Sequence, residues 1–199
     1  MRLCVGIPLA DGVVSEFAAA VAKMKPGAPL RWTEPESWHI TLQFLGNATQ
    51  EQFECLRAQL GEVRSAQVLV QLGALGCFER PGVLFADVKM TPELTALEQR
   101  VIAATSRCGF RAEERPFHPH ITLARKTEND GARERGSKGK REEDRGNKHA
   151  VTLRELMAKA GSQPRFTRFT AREFLLYESH TERKGARYEV RSRFALDGC

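Results

Sequence analysis

Two segments of the chain carry the same four residues, His39-Ile40-Thr41-Leu42 and His120-Ile121-Thr122-Leu123, 81 positions apart. Successive side chains of a strand point to opposite faces. His39 and Thr41 therefore share one face, while Ile40 and Leu42 share the other and can enter a core. The same parity sets His120 and Thr122 against Ile121 and Leu123. Each segment reads as an apolar-backed strand that presents an imidazole and a hydroxyl side by side. Two such strands across a cleft would place two imidazoles and two hydroxyls around one small anion. That set suits in-line displacement at phosphorus, which needs one group to deprotonate the attacking water and another, opposite, to protonate the leaving oxygen. Histidine, with an ordinary pKa of about 6.5, does either near neutral pH. A bell-shaped kcat/KM profile with its maximum near neutrality is expected. Threonine hydroxyls can hold charge on the non-bridging oxygens. No metal is required. About 0.3 His-x-Thr occurrences would arise by chance in this composition, so two that also share Ile and Leu stand out. His118 and His120 form a competing pair of zinc ligands, but no Cys, Asp or Glu stands beside them at ligand spacing.

The elements around these strands alternate. Leu3–Ile7 reads as a strand, and Val13–Lys25 as a helix stopped by Pro26-Gly27. His39–Leu45 is a strand closed by Gly46-Asn47. Thr49–Val63 is a helix with Thr49 as N-cap and Gln52 at the capping-box position. Val68–Leu75 and Val83–Met90 are strands joined around Pro81-Gly82. Thr91–Cys108 is a helix with Pro92 at its first position and Gly109 as its stop. A strand over Phe117–Ala124, a short helix over Leu153–Ala160, and a hairpin of Phe174–Glu178 with Tyr188–Phe194 follow. Hairpins mixed with helices predict an α+β fold with largely antiparallel sheets. Neither a dinucleotide fingerprint nor a phosphate loop is present. The stretch 126–148 holds 8 basic and 6 acidic residues and no hydrophobic face, and reads as a disordered, charged insertion.

The 199 residues are enough for one cored domain, or for two small lobes sharing a cleft. No apolar run approaches the roughly 20 residues that span a bilayer, and the N-terminus lacks a signal-peptide pattern. Five scattered cysteines without a C-x-x-C pair predict neither a disulfide framework nor a zinc site, and a cytoplasmic setting. The formal charge of +6 is uneven. Residues 1–99 hold 8 Lys and Arg against 11 Asp and Glu, and residues 100–199 hold 23 against 14. A basic half points to an anionic partner, RNA or a nucleotide.

The segments His39-Ile40-Thr41-Leu42-Gln43-Phe44-Leu45-Gly46 and Phe117-His118-Pro119-His120-Ile121-Thr122-Leu123-Ala124-Arg125 resemble the paired signatures of the two-histidine phosphoesterase superfamily. The nearest branch is the RNA 2′,3′-cyclic phosphodiesterases, also called 2′-5′ RNA ligases. The resemblance extends to Trp32-Thr33-Glu34-Pro35-Glu36-Ser37-Trp38, to Leu176-Tyr177-Glu178-Ser179 and to Gly185-Ala186-Arg187-Tyr188-Glu189-Val190, so that only the insertion departs from it. It implies a single bilobal domain over 1–199, with two pseudo-symmetric lobes and a central cleft. It also implies that His39 is the proton donor and His120 the acceptor, that Thr41 and Thr122 hold the phosphate, and that Arg125 binds it. Water would open a terminal 2′,3′-cyclic phosphate to a 2′-phosphate, without metal or cofactor. The partner would be RNA or a nucleotide with a cyclic phosphate end, met by a monomer away from any membrane.

Two rival readings stand beside this one. The same acid and base would serve 2′-5′ linkage formation or cleavage. A non-catalytic RNA-binding domain would use the basic half but has no need of paired histidines. Trp38, Phe44 and Phe117 are candidates for stacking on a base, or for the core. His149 and His180 carry no motif.

Overall fold

The computed structural model describes residues 1–26, 30–79, 82–126, 166–182 and 185–197. Among the described residues ten strands and three helices follow in the order β1 (Arg2–Pro8), α1 (Asp11–Met24), β2 (Leu30–Trp32), a 3-10 turn (Pro35–Ser37), β3 (His39–Asn47), α2 (Gln50–Gly61), β4 (Val68–Val70), β5 (Leu72–Phe78), β6 (Val83–Val88), α3 (Pro92–Ser106), β7 (His120–Lys126), β8 (Phe169–Ala171), β9 (Glu173–Glu182) and β10 (Gly185–Ala195). The fold is α+β, as the pattern predicts. The insertion after Lys126 and the helix expected over Leu153–Ala160 lie outside the described residues.

The main sheet has the order β10-β9-β1-β3-β7-β6-β5, with β2 on the far end of β7, and every described pairing in it is antiparallel. Its centre is unusual. β3 and β7 pair through one position, Ile40 with Ile121. The two half-sheets, β10-β9-β1-β3 and β7-β6-β5 with β2, therefore meet at equivalent residues of the two repeated segments and separate beyond them. This relation gives the two halves their pseudo-symmetry and opens a cleft along the seam.

The apolar parity of the repeats sets the core. Ile40, Leu42, Ile121 and Leu123 are all buried. They join one cluster with Val13, Phe17 and Val21 of α1, Phe53, Leu56 and Leu60 of α2, and Leu94, Leu97 and Val101 of α3. Burying an aliphatic or aromatic side chain of this size is worth about 1.5–3 kcal/mol. The strand faces that carry His39 and His120 are thereby held outward by the hydrophobic load behind them. Local signals start α2 and α3 as read, whereas α1 begins at Asp11, two residues ahead of the expected Val13 and without a side-chain cap. Thr49 Oγ1 accepts from Gln52 N at 3.2 Å and Gln52 Oε1 accepts from Thr49 N at 3.1 Å, completing the capping box. Thr91 caps α3 ahead of Pro92. Gly109 ends it with φ 85°, a left-handed turn that residues with a Cβ avoid.

Three expectations change. Val68–Leu75 is not one strand: β4 pairs with β8 in a separate two-stranded sheet, and β5 pairs with β6. The strands β2 and β8, three residues each, were too short to show a period. The cysteines do not all stay apart. Cys55 of α2 and Cys108, just past α3, form a disulfide across 53 residues. Their spacing carries no signal, because only the packing of α2 on α3 brings them together. Among the described residues no helix is long and apolar enough to cross a membrane.

Candidate active site

Each repeated histidine is hooked by the carbonyl two residues before it. His39 Nδ1 donates to Ser37 O at 2.8 Å, and His120 Nδ1 donates to His118 O at 2.7 Å. A carbonyl can only accept, so Nδ1 carries the hydrogen in both rings and Nε2 is the nitrogen left for chemistry. The intervening residue is fixed in each case. Trp38 is buried with its ring 5.7 Å from that of Phe17, and Pro119 O accepts from Val88 N at 3.1 Å. Two separate stretches of chain thus present imidazoles in the same tautomer on either side of the Ile40–Ile121 seam.

Each ring also sits between two aromatic residues. Tyr177 of β9 and Tyr188 of β10 lie 4.8 and 4.5 Å from the His39 ring, centre to centre. Phe78 of β5 and Phe85 of β6 each lie 5.3 Å from the His120 ring. None of the four was singled out as functional from the sequence; the tyrosines fall in the segments of family resemblance, and the phenylalanines carry no local motif. Gly6 was missed as well. A Cβ there would come within 2.8 Å of Ile40 O and 2.9 Å of His39 Cδ2, so the His39 ring needs glycine on the neighbouring strand. Cys4 Sγ lies 4.0 Å from His39 Nε2. Burial pushes that thiol up to about 12, which leaves it protonated and unreactive at neutral pH.

The two histidines differ in exposure. His39 is 7% exposed, and burial pushes its pKa down to about 4; the bond to Ser37 O opposes this, and the charge of His120 adds to it. His120 is lowered mainly by burial. The bond to His118 O opposes the shift, charges on His118 and Arg125 add to it, and Asp87 raises it again. Asp87 faces His120 across β6 and β7, and its Oδ1 accepts from His118 Nε2 at 2.9 Å. His118 is thus tied to a carboxylate. Among the described residues no three His, Cys, Asp or Glu side chains group as a metal site.

The cleft has two compartments of about 450 Å³ each. His39, Thr122 and Tyr188 line the first, and His120, Phe78 and Phe117 line the second. Thr41, Phe44 and Arg125 line both, and so stand at their junction. All five residues expected at the site meet here. Trp38 belongs to the core, whereas Phe44 is 45% exposed at the junction. Gln43 continues the face of His39 and Thr41. It is buried, accepts the Thr105 hydroxyl at 2.7 Å and donates to Arg111 O at 3.3 Å, tying β3 to the end of α3. His180 lies on the β9–β10 hairpin, 3.4 Å from Glu189, and His149 lies outside the described residues.

Paired half-sheets that offer two imidazoles to a cleft have the fold of the two-histidine phosphoesterases. A family model described as the 2′-5′ RNA ligase superfamily matches residues 14–143, more than half of the chain, and the protein belongs to that family. The RNA 2′,3′-cyclic phosphodiesterase of Bacillus subtilis (strain 168) is 35% identical over 128 residues, covering 61% of this chain and 69% of the relative. That of Geobacillus stearothermophilus is 30% identical over 201 residues, covering 96% of this chain and 57% of the relative. Among solved structures, E. coli LigT in its apo form is similar with a TM-score of 0.73 and 26% identity, covering 98% of this chain and 96% of that one. TT0787 of Thermus thermophilus, 23% identical with a TM-score of 0.70 over 100% of this chain and 99% of its own, shares the fold.

Proposed function

We propose that the protein is an RNA 2′,3′-cyclic phosphodiesterase that opens terminal cyclic phosphates to 2′-phosphates by acid–base catalysis between His39 and His120. The observation that carries this reading is the matched presentation of the two imidazoles. Both donate Nδ1–H to the carbonyl two residues earlier, across the single bridge at Ile40 and Ile121. Non-catalytic binding of RNA would not need that tautomer twice. The relatives named RNA 2′,3′-cyclic phosphodiesterase support the reaction class. So does E. coli LigT, which has been crystallised with 3′-AMP and with phosphate.

In the reaction, His120 Nε2 takes a proton from water as the water oxygen bonds to phosphorus. The bond from phosphorus to the ribose 3′ oxygen breaks on the opposite side, and that oxygen takes the proton of His39 Nε2. The products are a 2′-phosphate and a free 3′ hydroxyl; His39 ends neutral and His120 protonated, and solvent resets both. Thr41, Thr122 and Arg125 hold the non-bridging oxygens as charge builds on them. Burial keeps His39 neutral in the empty cleft at neutral pH. The phosphodiester supplies the opposite charge that raises its pKa, so substrate binding and protonation of His39 are linked. No metal or cofactor takes part. The protein acts as a monomer on RNA ends.

The test is incubation with RNA bearing a 2′,3′-cyclic end in excess EDTA, followed by identification of the phosphate isomer. Undiminished turnover to the 2′-phosphate is expected. A 3′-phosphate product, or inhibition by the chelator that one divalent ion reverses, would sink the mechanism.

A further inference from the structure

Resting on the assignment of His39 as the acid, we propose that the compartment beside His39 seats the terminal nucleotide. In this arrangement Arg31, Trp32 and Arg187 form a subsite for the phosphate on its 5′ side. The ligand class is thus a nucleotide with a phosphate at both ends of the ribose, as in an RNA chain, rather than a nucleoside cyclic phosphate alone.

In-line displacement places the attacking and leaving oxygens on opposite sides of phosphorus. The leaving oxygen belongs to the ribose, and the histidine that protonates it lines the first compartment. The ribose and its 5′ carbon therefore extend there, and water enters from the side of His120. The wall that the 5′ carbon approaches is basic. Arg31 of β2 is the direct cross-strand partner of Arg125 of β7, the arginine at the junction of the compartments. Like charges directly opposite on antiparallel strands repel. Neither arginine has an ion-pair partner among the described residues. Arg125 is given to the reacting phosphate, so a second anion on the Arg31 side, where Arg31 lines only the first compartment, offsets the charge that remains.

The next residue supplies an independent observation. Trp32 lines the same compartment, and its Nε1 is buried without a hydrogen-bond partner among the described residues. A buried N–H with no acceptor is uncommon and costly, and a shift of the ring towards the cleft would let a phosphate oxygen satisfy it. Trp38 Nε1 is also unpartnered, but Trp38 lies in the core and does not line the cleft. Arg187 adds a third guanidinium from β10, with Glu189 4.0 Å away. Glu34, at the N-cap of the 3-10 turn, and Glu36, within it, line the compartment too. Their carboxylates repel a phosphate, which leaves the arginine side as its path.

Binding separates this proposal from the catalytic one. Calorimetric titration would compare a nucleoside 2′-phosphate with the corresponding 2′,5′-bisphosphate, on the wild type, Arg31→Gln and Arg115→Gln. Arg115 lines only the second compartment. The wild type should bind the bisphosphate about tenfold tighter or more at low salt, since charge-assisted contacts to phosphate are strong and screened. Arg31→Gln should bring that ratio towards one, and Arg115→Gln should keep it. A cyclic-ended dinucleotide should likewise exceed the cyclic mononucleotide about tenfold in kcat/KM, and Arg31→Gln should remove that advantage. Equal wild-type affinity for the two ligands, or a ratio lost in Arg115→Gln and kept in Arg31→Gln, overturns the subsite. Turnover of cyclic substrates without a bisphosphate preference refutes the subsite alone. A preference that Arg31→Gln abolishes, without turnover, upholds the subsite and refutes the catalytic reading.

Discussion

His39 and His120 share a hydrogen-bonding pattern but not an environment, and the difference has consequences for rate. The reaction needs His39 protonated and His120 neutral at the same time. In the free protein the acid titrates at about 4 and the base below its ordinary value. The kcat/KM profile should therefore rise to about pH 4, level, and fall through the lowered His120 value, so that its maximum lies on the acid side of neutrality. This moves the optimum below the one inferred from ordinary histidines. The kcat optimum should sit at higher pH, because the bound phosphate raises His39. A kcat/KM still climbing above pH 7 would mean that no histidine acid is used. The division of labour has its own test. His39→Ala should lose roughly 10²–10⁴-fold on a cyclic phosphate. It should recover much of its relative activity on a nitrophenyl phosphodiester, whose leaving group departs without a proton. His120→Ala should show no such recovery, since water must still be activated. Rescue of His120→Ala instead would reverse the two roles.

At the scale of elements, the site depends on strands that neither carry the motif nor touch the phosphate. β1 passes beside β3 with Gly6 under the His39 ring, where a methyl group would meet both Ile40 O and His39 Cδ2. Gly6→Ala should leave the helices intact by circular dichroism and lower kcat by about 10²-fold, the scale of loss for a catalytic group misplaced by about 1 Å. Gly12→Ala is the control, because nothing lies within 4 Å of the Cβ it would add. Unchanged kcat in Gly6→Ala would show that the ring is not held by that strand.

For the whole molecule, burying His39 couples the active site to stability. Its pKa is about 4 in the fold against about 6.5 in an unfolded chain. Between those values the unfolded chain binds the extra proton, so acid favours unfolding. The stability is fully present above about pH 6.5 and is lost as pH falls through about 4. From pH 7 to pH 5 the loss from this group is about 2 kcal/mol. Denaturant unfolding of the wild type at the two pH values, set beside His39→Ala, reads it directly. A variant with the same pH dependence as the wild type would assign the effect to other groups.

Much of this molecule is local and so legible in the chain. The parity of His-Ile-Thr-Leu, the cap at Thr49 and the stop at Gly109 are decided by neighbours within a few residues, whose periodicity and backbone preferences act before any packing. The same parity predicted which side of each motif strand enters the core, and it selected His39, Thr41, His120 and Thr122. The pairing of distant segments is a different matter. Only the packed sheet sets Ile40 against Ile121, Tyr177 and Tyr188 against His39, Phe78 and Phe85 against His120, and Arg31 against Arg125. Only the contact of α2 with α3 joins Cys55 to Cys108. The pKa of His39 belongs with these, because it comes from desolvation by strands far away in sequence, and no pattern along one strand records what will cover it.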